Sequence, residues 1–380
     1  MKNSYNKETD TIIYKDHKIE NFFKDFPQQN YIKDYVKDNL IFLCVGGSHA
    51  YGLDTESSDL DIRGIFKDNI NQILGYEKID QLENNSKDIV IYSLTKAIHL
   101  ISEQNPNMQE LLHIDEEEIL YATEEYWYLR SQRDLLLSKL AKHKYSGYAI
   151  SQLKRIKGHN KWLNKEQEGK FEKKPNIIDY ITYIGNQTGE VYRIIELWDK
   201  CNFELDESYY FTKIKDELYN VWQDVDYSNF PLIENGNSFI PIQETHLGSS
   251  EYYGVIWFNK SQFQKDLEEY NNWKKWKENR NETRHELEEK YNFDTKHAMH
   301  TIRLLRMGCE ILNEEAVKVK RSDRDFLLDI RNGKYSYEYI VAEAERLEKN
   351  ELENYYKNSK LQNSVDKAKV ISIIKKVLGL

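Results

Sequence analysis

Cysteine and proline are scarce in this 380-residue chain, and a long apolar run is missing altogether. The cysteines, Cys44, Cys201 and Cys309, lie far apart and form no CxxC pair. That spacing excludes a disulfide framework and a cysteine zinc site, and leaves small buried hydrophobes. No stretch of about 18 uncharged apolar residues occurs, so no membrane span is expected. The opening residues, MKNSYNKETDTIIYKDHK, have no apolar core and carry acids, which argues against a secretory or transit leader and for a cytoplasmic protein. Basic charge is also in deficit: a net charge of -10 argues against indiscriminate coating of nucleic acid, while leaving room for a local basic surface. Internal repeats and low-complexity segments are absent from the sequence as well.

What is present is a folded, helix-rich composition, 39% hydrophobic and 31% charged, at a length that favours two compact units. Residues 1–38 are polar and lysine-rich, with a helix expected over 28–38. The first clear strand is Ile41-Phe42-Leu43-Cys44-Val45, which stops at Gly46-Gly47. A short helix over 48–53 and a polar loop over 54–58 lead to a second strand, 60–66. Another follows at 89–92, with 76–82 as a possible addition, and helices begin near Ser93 and after Asn105-Pro106. Beyond Glu124 the periodicity predicts helices over 126–140, 147–162 and 177–198, then again over 260–291 and 295–312 with a helical tail. The segment 203–259 is irregular and punctuated by Pro, Gly and Asn. The expected fold is α+β: a small mixed-sheet domain over 1–123, followed by a mainly helical, acceptor-binding domain over 124–380 with an insertion near 203–259.

The chemistry is concentrated in Gly46-Gly47-Ser48 and Asp59-Leu60-Asp61. Glycines at a strand end let the backbone turn closely and offer amide hydrogens to phosphate oxygens, and Ser48 adds a hydroxyl at a helix start. Residues two apart on a strand face the same way, so Asp59 and Asp61 can present two carboxylates to Mg²⁺ or Mn²⁺ while Leu60 turns inward. A third acid is expected on a neighbouring strand as ligand and general base; Asp88 is the candidate, with Glu83 and Asp80 nearby. Either motif alone is weak evidence. A glycine-serine turn is a common helix start, and in an acid-rich chain DxD usually marks a solvated edge. Their order, spacing and strand-then-turn setting together point to nucleotidyl transfer from an NTP.

Two basic helices accompany the motif. Between Lys139 and Lys165 there are eight Lys or Arg and no acid, with Tyr145, Tyr148 and Trp162 among them. Lys154, Arg155, Lys157 and Lys161 are the expected RNA-binding residues, against the alternative of a solvated lysine face. In the apolar helix 295–312, Lys296, His300 and Arg303 fall together and are expected to bind nucleotide along with Gly46, Gly47, Ser48 and Arg63; internal pairing with acids is the competing explanation. His297 and His300 lack a supporting third ligand, so zinc is not expected. Arg280 and Arg284 could extend the positive surface.

The run GGSHAYGLDTESSDLDIRGIF resembles the polymerase-beta-type nucleotidyltransferases. More narrowly, SHAYGL, DLDIRGIF, QNPNMQELL, SGYAISQLKRIKGHNKWL and DTKHAMHTIRLLRMGCEIL resemble the RNA-repair-pathway polymerase-beta family, also called RlaP, over about 42–333. The resemblance implies a metal-dependent enzyme that moves a nucleoside monophosphate from NTP to a hydroxyl, with an RNA end, that of tRNA among the candidates, as acceptor. A protein or small-molecule acceptor is the alternative within the same chemistry. A catalytically silent RNA-binding protein is the alternative outside it.

Overall fold

The computed structural model describes residues 3–24, 26–56, 58–185, 191–193, 209–223, 233–234, 238–239, 251–278 and 290–380. Eight strands precede residue 123: β1 Ser4–Asn6, β2 Thr11–Tyr14, β3 His17–Glu20, β4 Leu40–Val45, β5 Ile62–Phe66, β6 Gln81–Glu83, β7 Ile89–Ser93 and β8 Ile119–Ala122. The last five form one mixed sheet in the order β6-β7-β5-β4-β8. Only β5 and β7 run parallel, with Ile62 opposite Ile89. All six residues of β4 are buried, as expected of a continuous apolar run with both faces covered. Phe42 and Cys44 join a core shared with the helices; Leu43 and Val45 face a second cluster containing Tyr5, Phe22, Phe23 and Phe26. The antiparallel meander β1-β2-β3 was not anticipated in the polar opening segment.

Several helices begin where the sequence signals them, but the expected helix over 126–140 stops at Ser131 and gives way to a 3-10 turn over Arg133–Leu136, and the one expected over 147–162 starts earlier, at Ala141. α1 is Asn30–Asp38, α2 Gly47–Tyr51, α3 Ile70–Ile73, α4 Leu94–Ser102, α5 Pro106–His113, α6 Glu124–Ser131 and α7 Ala141–Gln167. Ser93 caps α4 by accepting the Lys96 amide, and Asn105 caps α5 with Pro106 in its first turn. Compactness groups the chain as Met1–Asn160 with Glu286–Leu380, and Lys161–His285 as a second unit. The sequence division at residue 123 does not follow that grouping, because helix Thr295–Glu314 buries its apolar face in the core shared with α4, α5 and β4.

Within the second unit, the expected helix over 177–198 is overturned. Ile177–Tyr180 is a 3-10 turn, and Ile181–Gly185 and Val191–Arg193 are strands β9 and β10. β-branched and aromatic residues in Ile181-Thr182-Tyr183-Ile184 favour a pleated backbone over a helix. Three further strands, β11 Tyr209–Lys215, β12 Leu218–Gln223 and β15 Glu251–Phe258, complete an antiparallel sheet in the order β10-β9-β15-β12-β11; the short hairpin β13 Ile233–Glu234 and β14 Ser238–Phe239 lies between them in sequence. Helix Lys260–Glu278 belongs to this unit, its Trp273 stacked on Phe171 at 4.8 Å. Cys201 and residues 203–208, 224–232, 235–237 and 240–250 lie outside the described residues.

One buried polar cluster holds α2 in place. The Tyr51 hydroxyl donates to Glu110 Oε2 at 2.6 Å, Arg303 Nη1 donates to Glu110 Oε1 at 3.1 Å, and the guanidinium lies 3.7 Å from the Tyr51 ring centroid. Burial raises the Glu110 carboxyl above its usual range against the pull of Arg303. The carbonyls that end α2 are taken up by a distant segment. The Arg321 amide bonds Tyr51 O at 3.1 Å, Arg324 Nε bonds Gly52 O at 2.6 Å and Arg331 Nη1 bonds Leu53 O at 3.2 Å. Cationic donors at a helix C-terminus satisfy orphan carbonyls and oppose the helix dipole.

Two stability outcomes follow from this packing. A Cβ at Gly64 would lie 2.6 Å from Leu43 Cδ2 and 2.8 Å from Phe42 O, so Gly64→Ala should lower unfolding free energy by about 1–3 kcal/mol. Glu110→Ala should cost about 3–5 kcal/mol by leaving Arg303 buried without its anion, and the volume-matched pair Glu110→Leu with Arg303→Met should recover much of that loss. Urea denaturation midpoints measure both. A Glu110→Ala protein as stable as wild type would contradict the cluster's role.

Candidate active site

The turn after β4 is built against the acid motif. The Gly46 amide donates to the Asp61 carbonyl at 2.8 Å, carrying the β4–β5 ladder one step beyond the strand. That amide is therefore used internally, and the expectation that it would be offered to phosphate is corrected. Gly47 has φ +58, and a Cβ there would fall 2.0 Å from Asp61 Oδ2. Only glycine meets both conditions, since the left-handed conformation and the carboxylate each exclude a side chain. Ser48 follows in the first turn of α2, whose leading amides have no partner inside the helix. Its hydroxyl has no partner among the described residues.

Asp59 and Asp61 sit in the run entering β5 rather than within it, because the strand begins at Ile62. Asp59 is exposed and Asp61 partly buried. Together with Gly47 and Ser48 they line a cavity of about 350 Å³. Its other walls come from α5 (Asn107), α7 (Tyr148 and Gln152), helix Thr295–Glu314 (Lys296, Met299, His300, Arg303 and Leu304) and Arg331. Two carboxylates on one cavity wall are a donor set suited to Mg²⁺, which is commonly held by one or two carboxylates plus substrate phosphates. Among the described residues no group of three His, Cys, Asp or Glu side chains is placed to hold a metal ion.

The remaining expected residues divide into those brought to the cavity and those engaged elsewhere. Lys296 and His300 reach it. Burial first, and then the positive charges of Arg303 and Lys296, hold the His300 imidazole well below its ordinary pKa, so it faces the cavity neutral. Arg303 also borders the cavity, yet its charge is neutralised by Glu110; pairing with acids, the competing explanation, is what this residue does. Arg63 is not in the lining. It pairs with Asp61 at 3.0 Å and donates to the carbonyls of Ile62 at 2.9 Å and Asp88 at 2.6 Å, which makes it a brace behind the acids. Asp88 is likewise outside the lining: the parallel register sets it beside Asp61, and its carbonyl is bonded by the Ile62 amide and Arg63.

The basic stretch of α7 is partly neutralised. Lys157 pairs with Glu345 at 3.7 Å and Lys161 with Glu269 at 3.0 Å, whereas Lys154 and Arg155 are exposed with no acidic partner among the described residues. Arg280 and Arg284 lie outside the described residues. Tyr148 and Gln152, one turn apart on α7, lie within the basic stretch between Lys139 and Lys165. Nothing local to Arg331 marks it as a cavity residue.

Among the described residues no helix is long and apolar enough to cross a membrane. No curated protein and no solved structure matches the chain. Residues 16–174 match the model of the RNA repair pathway DNA polymerase beta family. The matched segment holds the whole sheet containing β4, the glycine-serine turn, both motif acids and α7 as far as its end, while Lys296, Arg303 and Arg331 lie beyond it. Over residues 16–174, then, the chain is similar to the RNA repair pathway DNA polymerase beta family, the type that its motifs resemble.

Proposed function

We propose that the protein is a divalent-metal-dependent nucleotidyltransferase that moves a nucleoside monophosphate from an NTP to a hydroxyl of an RNA end. The observation that carries this reading is the convergence of Gly47, Ser48, Asp59 and Asp61 on one cavity, with Asp61 packed directly against the turn. Asp59 and Asp61 would hold the Mg²⁺ or Mn²⁺, which when bound supplies charge neutralisation at the triphosphate and acidifies the attacking hydroxyl. Ser48 would donate its hydroxyl to a phosphate oxygen. Asp88 carries a carboxylate with no partner among the described residues, beside Asp61, and we assign it as the base that receives the acceptor's proton once turned to the cavity. The acceptor oxygen then bonds to the α-phosphorus as the bond to the β-phosphate oxygen breaks, and pyrophosphate departs. The RNA acceptor is supported by the description of the matched family and by Lys154 and Arg155, exposed on the helix that brings Gln152 to the cavity.

The test is incubation of full-length protein with labelled NTP, Mg²⁺ and total RNA. Label should enter RNA and vanish with EDTA; label in protein or in a small solute would replace the RNA acceptor while keeping the chemistry. Asp61→Ala should reduce the rate at least about 100-fold. Gly47→Ala, which collides with the Asp61 carboxylate, should do so at nearly wild-type helical content. Undiminished labelling by an Asp59→Ala, Asp61→Ala double variant would overturn the site.

A further inference from the structure

A nucleotide triphosphate approaching two carboxylates needs opposing positive charge, and the cavity's described lining offers Lys296, His300, Arg303 and Arg331. Arg303 is neutralised by Glu110, and His300 is uncharged for the reasons given above. Arg331 differs from both. It ends helix Arg324–Arg331, is partly buried, and has no carboxylate partner among the described residues. Burial alone lowers its pKa, with no acid acting against that effect. One N–H bonds the Leu53 carbonyl at 3.2 Å, which anchors the guanidinium at the end of the segment that opens with Gly47 and Ser48. A guanidinium carries five N–H donors in a planar fork that matches phosphate oxygens. A half-desolvated cation without a counter-ion is costly, and an incoming phosphate removes that cost.

We infer that Arg331 binds the triphosphate tail of the nucleotide, so that a carboxy-terminal residue outside the matched family segment forms part of the substrate site. The inference rests on the reading of the cavity as an NTP site. The reacting α-phosphate belongs with Asp59 and Asp61, and Arg331, on a separate element of the wall, takes the β- and γ-phosphate oxygens. Its anchoring bond to Leu53 pre-orders the side chain, so little rotamer freedom is lost on binding.

Calorimetric titration with Mg²⁺ and the α,β-methylene analogues of the four ribonucleoside triphosphates, each beside its monophosphate, tests this on the full chain. Arg331→Ala should weaken the preferred triphosphate about 10- to 100-fold, the range expected for a charge-assisted contact, and leave the monophosphate within about twofold. Arg331→Lys should recover part of the loss. Arg324→Gln removes a bond to the neighbouring Gly52 carbonyl without touching the cavity, and should leave the triphosphate-to-monophosphate ratio unchanged. Equal weakening of both ligands by Arg331→Ala would reduce the residue to a clasp on Leu53 and overturn the inference. An effect confined to RNA retention would assign it to the acceptor's phosphates and overturn it equally. A folded wild-type protein that binds no triphosphate would instead overturn the NTP reading itself.

Discussion

The buried contact among Tyr51, Glu110 and Arg303 is the constraint on which the rest of the site depends. Its three members come from a five-residue helix, from α5 and from a helix nearly two hundred residues later, so the short helix cannot shift without exposing an unpaired charge in the core. A helix of that length has no stability of its own, because the first turn costs more than it returns. Its position is therefore set by tertiary bonds: the buried cluster at Tyr51, and the taking-up of the Tyr51, Gly52 and Leu53 carbonyls by the Arg321, Arg324 and Arg331 segment. Because Ser48 lies on the same helix, the cluster also fixes the distance between the glycine-serine turn and the acids.

The second constraint is local. With Gly47 pressed on the Asp61 carboxylate and Arg63 bonded to its other side, that carboxylate is held from two directions before any ligand arrives. Preorganisation of this kind is what the proposed nucleotidyl transfer would require of its acids. Arg63 also bonds the carbonyl of Asp88, so one guanidinium ties the ends of β5 and β7 together. Arg63, expected to bind nucleotide, is thus engaged with Asp61 and with the carbonyls of Ile62 and Asp88.

How much of this was legible in the sequence depended on whether the signal was local. The apolar run of β4, the glycines that end it and the Asn105-Pro106 helix start are short-range patterns, and each stands where expected. Cys44 and Cys309 are buried free thiols, as their apolar surroundings implied. What the sequence did not display has a common cause. Apolar spacing over 177–198 fits a helix as well as paired strands, and only strand partners distant in sequence decide between them. The partners of Arg303 and Lys161, Glu110 and Glu269, are likewise distant in sequence and leave no local mark. Arg331 carries no local mark at all, because its relation to the site exists only through the fold.

On the proposed reading, Asp59 and Asp61, beside the Gly47-Ser48 turn, grip a divalent ion together with a nucleotide triphosphate. Anomalous diffraction from crystals of the full chain grown with Mn²⁺ and a non-hydrolysable triphosphate tests it most directly. The account predicts a Mn²⁺ peak coordinated by the carboxylates of Asp59 and Asp61 and by phosphate oxygens. An ordered triphosphate elsewhere on the protein, or Mn²⁺ bound away from these two side chains, would contradict it.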